Sequence, residues 1–159
     1  MKQALTLGAL LHGYADVPAA YASCAISGLA LDSRRVQRGD LFFALRGGVH
    51  HGLEFLDAVK QCAAAVVWEA PWDGSIPSEP GVPLLAVPQL SAHLGAIASR
   101  FYGVPAQQLA LVGITGTDGK TTCAHFIAQA LSAASTRPCG ILGTLGFGTY
   151  SAMQTATHT

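Results

Sequence analysis

One short run constrains this chain more than any other. Residues 113–122, GITGTDGKTT, place glycines and a lysine between an apolar stretch and a helix-forming one. Residues 109–114 (LALVGI) read as a buried strand. After the run, Cys123, Phe126, Ile127, Ala130 and Leu131 recur at helical spacing as an inner face, until Arg137 and Pro138 end the helix. Residues 139–146 (CGILGTLG) read as a second strand. The segment therefore predicts a β-α-β unit whose loop lies at the carboxyl end of its first strand, where open α/β sheets bind ligands.

Phosphate oxygens need several short donors at close range, and a glycine-rich turn entering a helix supplies backbone N–H groups that a Cβ would block. Gly116 and Gly119 meet that need. Lys120 follows at the first helical turn, where a mobile ammonium reaches β- and γ-phosphates, and Thr121 offers the hydroxyl that a phosphate-bound Mg²⁺ takes as ligand. The spacing departs from G-x-x-x-x-G-K-[ST], because Ile114 stands where the first glycine belongs. A plain polar turn capped by Asp118 and Thr121 is the alternative. Its place after an apolar run and before an amphipathic one favours the phosphate loop. Asp118 would repel phosphates unless it faces a cation or solvent, and the sequence leaves its part open.

At 159 residues the chain has room for one ordinary domain or two small ones. Half its residues are apolar and 11% are charged, which excludes a disordered chain. Nine basic residues balance nine acidic ones, so no broad field would hold nucleic acid or an anionic membrane. Any anionic ligand needs a local site. Cys24, Cys62, Cys123 and Cys139 show no close pairing and lie in apolar stretches, which predicts reduced core thiols and an intracellular setting. The opening MKQALTLGALLHGY lacks a signal-peptide pattern, and no apolar run approaches the roughly 20 residues that cross a bilayer.

Along the first hundred residues, 25–32 and 40–45 (DLFFAL) read as strands around the polar turn SRRVQRG. After the loop GGVHHG, residues 53–62 carry apolar side chains at helical spacing, and 64–68 (AAVVW) read as a buried strand. A proline-rich loop spans 71–83. Residues 84–87 then form a short strand, and Leu90, Leu94, Ile97, Ala98 and Phe101 mark a helix ending near Gly103. Residues 102–108 look like a linker, which divides the chain into domains 1–103 and 104–159. A single β-α-β unit cannot bury both faces of its sheet, so the second domain is expected to be incomplete and the chain a fragment of a longer enzyme.

These residues resemble a known family. V-G-I-T followed by G-T-x-G-K-T-T is similar to the ATP loop of the Mur ligases, which build the peptide stem of bacterial cell-wall precursors; Asp118 stands where asparagine is common. The run LDSRRVQRGDLFFALRG, followed by HG-x-x-F and AAAVV, resembles the UDP-sugar-binding domain of the MurE and MurF types. GILGTLGFG and the terminal THT resemble the MurE type. The likeness extends from about Leu29 to Thr159.

The resemblance implies an α/β fold, with a small α/β UDP-sugar-binding amino-terminal domain and then the start of a P-loop NTPase-like parallel-sheet domain. It implies ATP at Gly116, Thr117, Asp118, Gly119, Lys120, Thr121 and Thr122, with Lys120 catalytic and Mg²⁺ held through Thr121. Leu31 and Ser33 would meet the uridine end of the substrate, and Gly48, Val49 and His50 its UDP moiety. His158 and Thr159 would touch the muramoyl-peptide or the groove on the nucleotide side. The Asp-Ser-Arg turn also reads as ordinary turn chemistry, and Arg34 and Arg35 stay open between diphosphate contacts and a solvated turn. No metal constellation is evident: His12, His93, His125 and His158 lack ligand spacing, and His125 reads as a surface residue.

The implied activity is ATP-dependent amide ligation in peptidoglycan synthesis, with UDP-MurNAc-L-Ala-D-Glu and a diamino acid as substrates. It carries with it a bacterial cytoplasmic setting, a monomer, and no nucleic-acid partner or membrane insertion. Further Mg²⁺ ligands, a carbamylated lysine and the amino-acid-selecting domain would lie past Thr159, so the chain by itself should not catalyse. The alternatives are a MurF-type ligase adding D-Ala-D-Ala, a folylpolyglutamate-synthase-like ligase, and a stand-alone UDP-sugar or nucleotide-binding module. The sequence does not name the amino acid added, whether meso-diaminopimelate, lysine or ornithine.

Overall fold

The computed structural model describes residues 5–155 and divides into two compact units, Met1–Leu109 and Ala110–Thr159. The first begins with β1 (Leu5–Thr6), α1 (Leu7–Leu11) and α2 (Ala19–Ala22), followed by β2 (Ala25–Ile26), which pairs antiparallel with β1. Then come β3 (Gly28–Ala30), β4 (Asp40–Ala44), α3 (Leu56–Val59), β5 (Ala65–Trp68), β6 (Leu84–Ala86) and α4 (Leu90–Phe101). Strands β3-β4-β5-β6 form a parallel sheet in that order.

Successive side chains on a strand point to opposite faces, and both faces of this sheet are covered. Leu41, Phe43, Ala65, Val67 and Leu85 pack on one side with Leu7, Leu10 and Leu11 of α1 and Leu90, Ile97 and Phe101 of α4. Phe42, Ala44, Val66 and Ala30 pack on the other with Leu53, Leu56 and Val59. Burying each large side chain contributes about 1.5–3 kcal/mol relative to exposure, so the uninterrupted DLFFA run is a consequence of two-sided burial.

Helix α1 lies ahead of the stretch that carries the resemblance and has only five residues, yet all three of its leucines are fully buried. Its ends explain its survival. The Thr6 side chain accepts a hydrogen bond from the Ala9 N–H at 3.3 Å, and the Arg100 guanidinium donates to the carbonyls of Leu10 and His12 at 2.8 and 2.7 Å.

Two predicted elements come out shorter. The strand expected over 25–32 is broken at Ser27, whose N–H donates to the Gly39 carbonyl instead of a strand partner, so β2 and β3 belong to different sheets. The helix expected over 53–62 is a 3-10 turn, Gly52–Phe55, running into the single turn of α3. Gly52 sits against β4, where a Cβ would lie 2.4 Å from the Ala44 Cα, and this close approach fixes where the turn begins.

In the second unit, α5 (Lys120–Ala134) is followed by β7 (Gly140–Gly143), β8 (Gly146–Thr149) and β9 (Ala152–Gln154), an antiparallel meander. This differs from the expected parallel β-α-β unit. Residues 109–114 are not a strand: Leu111 and Val112 are 72% and 62% exposed, and among the described residues the meander pairs only with itself. Apolar, β-branched sequence does not become a strand without a partner edge and a covered face. The predicted second strand, 139–146, ends at Gly143, turns, and resumes as β8.

The inner face of α5 also differs. Ala128 is its buried residue, with Thr121, Ala124 and His125 partly covered, while Cys123, Phe126 and Ala130 are exposed. The cysteines are free, but they are not core residues: Cys62 and Cys123 are exposed, Cys24 and Cys139 half-buried. Among the described residues no helix is long and apolar enough to cross a membrane.

Candidate functional site

The glycine–lysine loop keeps the local geometry its sequence requires. Gly116 has φ +149° and Gly119 φ +74°, both in the region that favours glycine, and Gly119 forms the N-cap of α5. No side chain caps that end, and the first-turn N–H groups of any helix lack intrahelical acceptors. A Cβ on Gly119 would meet nothing within 4 Å, so the glycine is there for its backbone angle and the approach to the turn stays open. These features fit a polyphosphate tail.

Lys120 extends from this turn and its ammonium donates to the carbonyls of Gly116 and, at 3.0 Å, Thr117. The cation thus lies over the loop it is expected to serve. The Thr121 hydroxyl lies 3.3 Å from that of Thr144, which occupies the tight turn between β7 and β8. Lys120, Thr121 and Thr144 share the lining of a cavity of about 500 Å³ with Leu111, Ile127 and Ile141. Most of that lining is apolar, and Lys120, Thr121 and Thr144 bring its hydrogen-bonding side chains. Thr117, Asp118 and Thr122 are exposed on the same turn. His125, expected at the surface, is half-covered, with its Nε2 buried and unpaired and its ring 6.4 Å from that of Tyr150.

The first unit gathers a second group of residues. Strands β3 and β4 are parallel neighbours, so the loops after them, carrying Leu31 and Ser33 and then Gly48, Val49 and His50, emerge at the same carboxyl edge of the sheet. Leu31 is 58% exposed and Val49 89%, so both side chains are open to a ligand. Asp32 accepts from the Arg34 backbone N–H at 3.0 Å and from its guanidinium Nε and Nη2 at 2.9 and 2.8 Å. That side-chain hydrogen bond raises the Arg34 pKa above its ordinary value. Arg34 is therefore tied to its own turn. His158 and Thr159 lie outside the described residues.

The 46–51 loop is held from below. Buried His51 accepts from the Leu53 N–H on Nδ1 at 3.1 Å and meets the Glu69 carbonyl through Nε2 at 2.8 Å, with its ring 4.8 Å from that of Trp72. Glu54 closes a capping box, one carboxylate oxygen accepting the His51 N–H and the other facing His50 Nδ1, both at 2.8 Å. These bonds, the backbone one first, hold the Glu54 carboxyl below the usual range. Glu69 is also held low, chiefly by the Ser91 hydroxyl at 2.6 Å, with further help from the Ser91 and Arg46 backbone N–H groups.

Glu54, Glu69, Ser91 and Thr144 are absent from the sequence-derived site. Only Glu54 left a signal, because H-x-x-E has the capping-box spacing with histidine in the seat usually taken by serine or threonine. Glu69 and Ser91 lie 22 positions apart and meet only because β5 and β6 are adjacent.

A parallel-sheet lobe with loops collected at its carboxyl edge, followed by a unit opening on a glycine–lysine turn, defines a two-part α/β protein with a phosphate-loop motif. The chain belongs to the Mur ligase family: the family's catalytic domain profile matches residues 25–102 and the Mur ligase middle domain profile residues 114–159. Over 144 residues it is 46% identical to the UDP-N-acetylmuramoyl-L-alanyl-D-glutamate–2,6-diaminopimelate ligase of Alkalilimnicola ehrlichii, covering 84% of this chain and 28% of that protein. Over 143 residues it is 47% identical to the enzyme of the same name from Pseudomonas aeruginosa, covering 89% and 29%. A solved structure of a ligase of that name superposes with a TM-score of 0.66 at 23% identity, over 95% of this chain and 30% of the other, a likeness of fold. The chain thus spans under a third of the length of these relatives.

Proposed function

We propose that this chain supplies the UDP-sugar-binding lobe and the phosphate loop of an ATP-dependent ligase that adds a diamino acid to UDP-MurNAc-L-Ala-D-Glu. The observation that carries the reading is the pairing of two features in one chain: the uncapped Gly116–Lys120 turn, and the exposed Leu31–Ser33 and Gly48–His50 loops side by side at one sheet edge. In support, the relatives at 46% and 47% identity bear the name of the ligase for 2,6-diaminopimelate, which favours that amino acid over lysine or ornithine and this reaction over addition of D-Ala-D-Ala. Domains 1–103 and 104–159 are the corresponding division of labour, and a bacterial cytoplasmic setting follows from it.

A carboxylate is a poor electrophile, so the reaction moves the γ-phosphoryl group of ATP onto the D-glutamate side chain. The amine of the diamino acid then displaces phosphate to form the amide. The residues of the loop position and neutralise rather than react. Backbone N–H groups of 116–122 hold the polyphosphate, and the Lys120 ammonium leaves the Gly116 and Thr117 carbonyls for the transferring oxygens. Mg²⁺, when bound, would screen the phosphate charges, and the Thr121 hydroxyl would be one of its protein ligands. Leu31 and Ser33 face the uridine end, and Gly48, Val49 and His50 the UDP moiety.

The test is an assay of ADP release by the full-length protein. ADP should form only when UDP-MurNAc-L-Ala-D-Glu is present and should accumulate in step with amide product once 2,6-diaminopimelate is added. ADP release independent of the UDP-sugar, or activity confined to a UDP-muramoyl-tripeptide with D-Ala-D-Ala, would reject the proposal.

A further inference from the structure

Two adjacent histidines in the 46–54 loop are held by opposite hydrogen-bond logic. A backbone N–H is always a donor, so His51 Nδ1, which takes the Leu53 N–H, carries no proton; its Nε2 must then be the protonated nitrogen donating to the Glu69 carbonyl. An ionised carboxylate only accepts, so His50 Nδ1, facing Glu54 Oε2 at 2.8 Å, must carry a proton. In the neutral ring this leaves His50 Nε2 as a bare acceptor, on a side chain that is 64% exposed.

We propose that Glu54 is the positioning residue of this loop. Its carboxylate orients His50 as the Nδ1–H tautomer, so that the loop offers Nε2 as an acceptor for a ring or amide N–H of the ligand, while His51 in the opposite tautomer clamps the loop to the sheet. One carboxylate does both jobs, because its second oxygen takes the His51 N–H. The ligand contact rests on the proposed role of residues 48–50 at the UDP moiety; the tautomers do not. An imide N–H, as in a uracil ring, is the donor chemistry that suits such an acceptor.

The substitution that separates these parts is Glu54→Gln. Its carbonyl still accepts the His51 N–H and keeps the capping box, but its amide NH₂ faces His50 and requires Nδ1 to become the acceptor, moving the proton to Nε2. Nitrogen-15 spectra of the imidazole rings in the full chain, at about pH 8 and so above the ordinary histidine pKa of roughly 6.5, read the tautomers directly. Wild type should show Nδ1–H at His50 and Nε2–H at His51; Glu54→Gln should convert His50 alone. Nε2–H at His50 in the wild type would overturn the proposal even if the variant failed to fold.

The second readout is calorimetric titration with UDP-N-acetylmuramic acid. Glu54→Gln should weaken binding roughly tenfold, the scale of one mismatched hydrogen bond. His50→Phe, which has no acceptor, should weaken it comparably while leaving the Glu54 capping bond in place. Converted tautomers with unchanged affinity in both variants would overturn the acceptor role. Absence of binding by the wild type would instead reject the functional reading and leave the tautomer result as the measure of Glu54.

Discussion

The two units of this chain are both rich in apolar residues, yet they end in opposite states of burial. In the first, four parallel strands are covered on both faces, and every buried hydrophobic residue among the described ones except Ala128 belongs to it. In the second, Leu111, Val112, Phe126 and Leu142 are exposed, Leu142 to 86%, and the meander covers little of α5. Between stretches of like composition the difference lies in partners. DLFFAL and LALVGI have the same strand character, but β4 has parallel neighbours on both sides whereas 109–114 pairs with nothing among the described residues. Strand propensity is realised only where a neighbouring edge and an opposing layer exist.

The largest expected effect sharpens that contrast. Phe43→Ala empties a site 2% exposed and should cost the first unit about 3–5 kcal/mol, whereas Leu142→Ala, truncating an exposed side chain, should stay within about 0.5 kcal/mol. Both tryptophans, Trp68 and Trp72, lie in the first unit, so urea unfolding followed by their fluorescence reads Phe43→Ala, while amide exchange in α5 and the meander reads Leu142→Ala. Equal shifts for the two substitutions would break the comparison.

An intermediate effect is expected at Arg100. Its guanidinium donates to the end of α1, where three leucines enter the core, and lies over the Tyr14 ring at 4.8 Å. Arg100→Ala should cost about 1–3 kcal/mol, the range for hydrogen bonds to a charged group, and the same fluorescence-monitored unfolding checks it. Arg100→Lys should recover only part, because one ammonium cannot reproduce the fork.

The smallest effect is a pH dependence confined to the first unit. Glu69 has its folded-state pKa depressed, so its share of stability is complete above the ordinary glutamate value of roughly 4.3 and is lost as pH falls through the lower folded value. Amide exchange at Ser91 should accelerate as that window is crossed. Ser91→Ala removes the largest cause of the depression and should move the onset to higher pH. An onset unaffected by Ser91→Ala would show that the Ser91 hydroxyl is not what holds Glu69.

Much of the first unit was legible in the sequence because burial on both faces leaves continuous apolar runs, and DLFFA and AVVW lie inside the strands read for them. The five-residue α1 was not legible, since the donor that satisfies its carboxyl end is Arg100, some ninety positions away. The glycine–lysine turn was readable because φ above zero at Gly116 and Gly119 is a local demand. The register of α5 was not: which face is covered depends on what packs against it, and Ala128 turned inward where Phe126 had been expected. In the first unit the histidine–glutamate clamp escaped reading because its long-range half, the Glu69 contact, exists only once the sheet is assembled.

The central claim is that the Gly116–Thr122 turn and the Lys120 ammonium hold the triphosphate of ATP during ligation. Its most direct test compares Lys120→Ala with wild type in the full-length enzyme, following acyl-phosphate formation by the transfer of labelled γ-phosphate to the UDP-sugar dipeptide. The account predicts loss of transfer by at least roughly three orders of magnitude, on the scale of removing a charge that stabilises the transition state, with UDP-sugar binding unchanged. Transfer within a few-fold of wild type would contradict it.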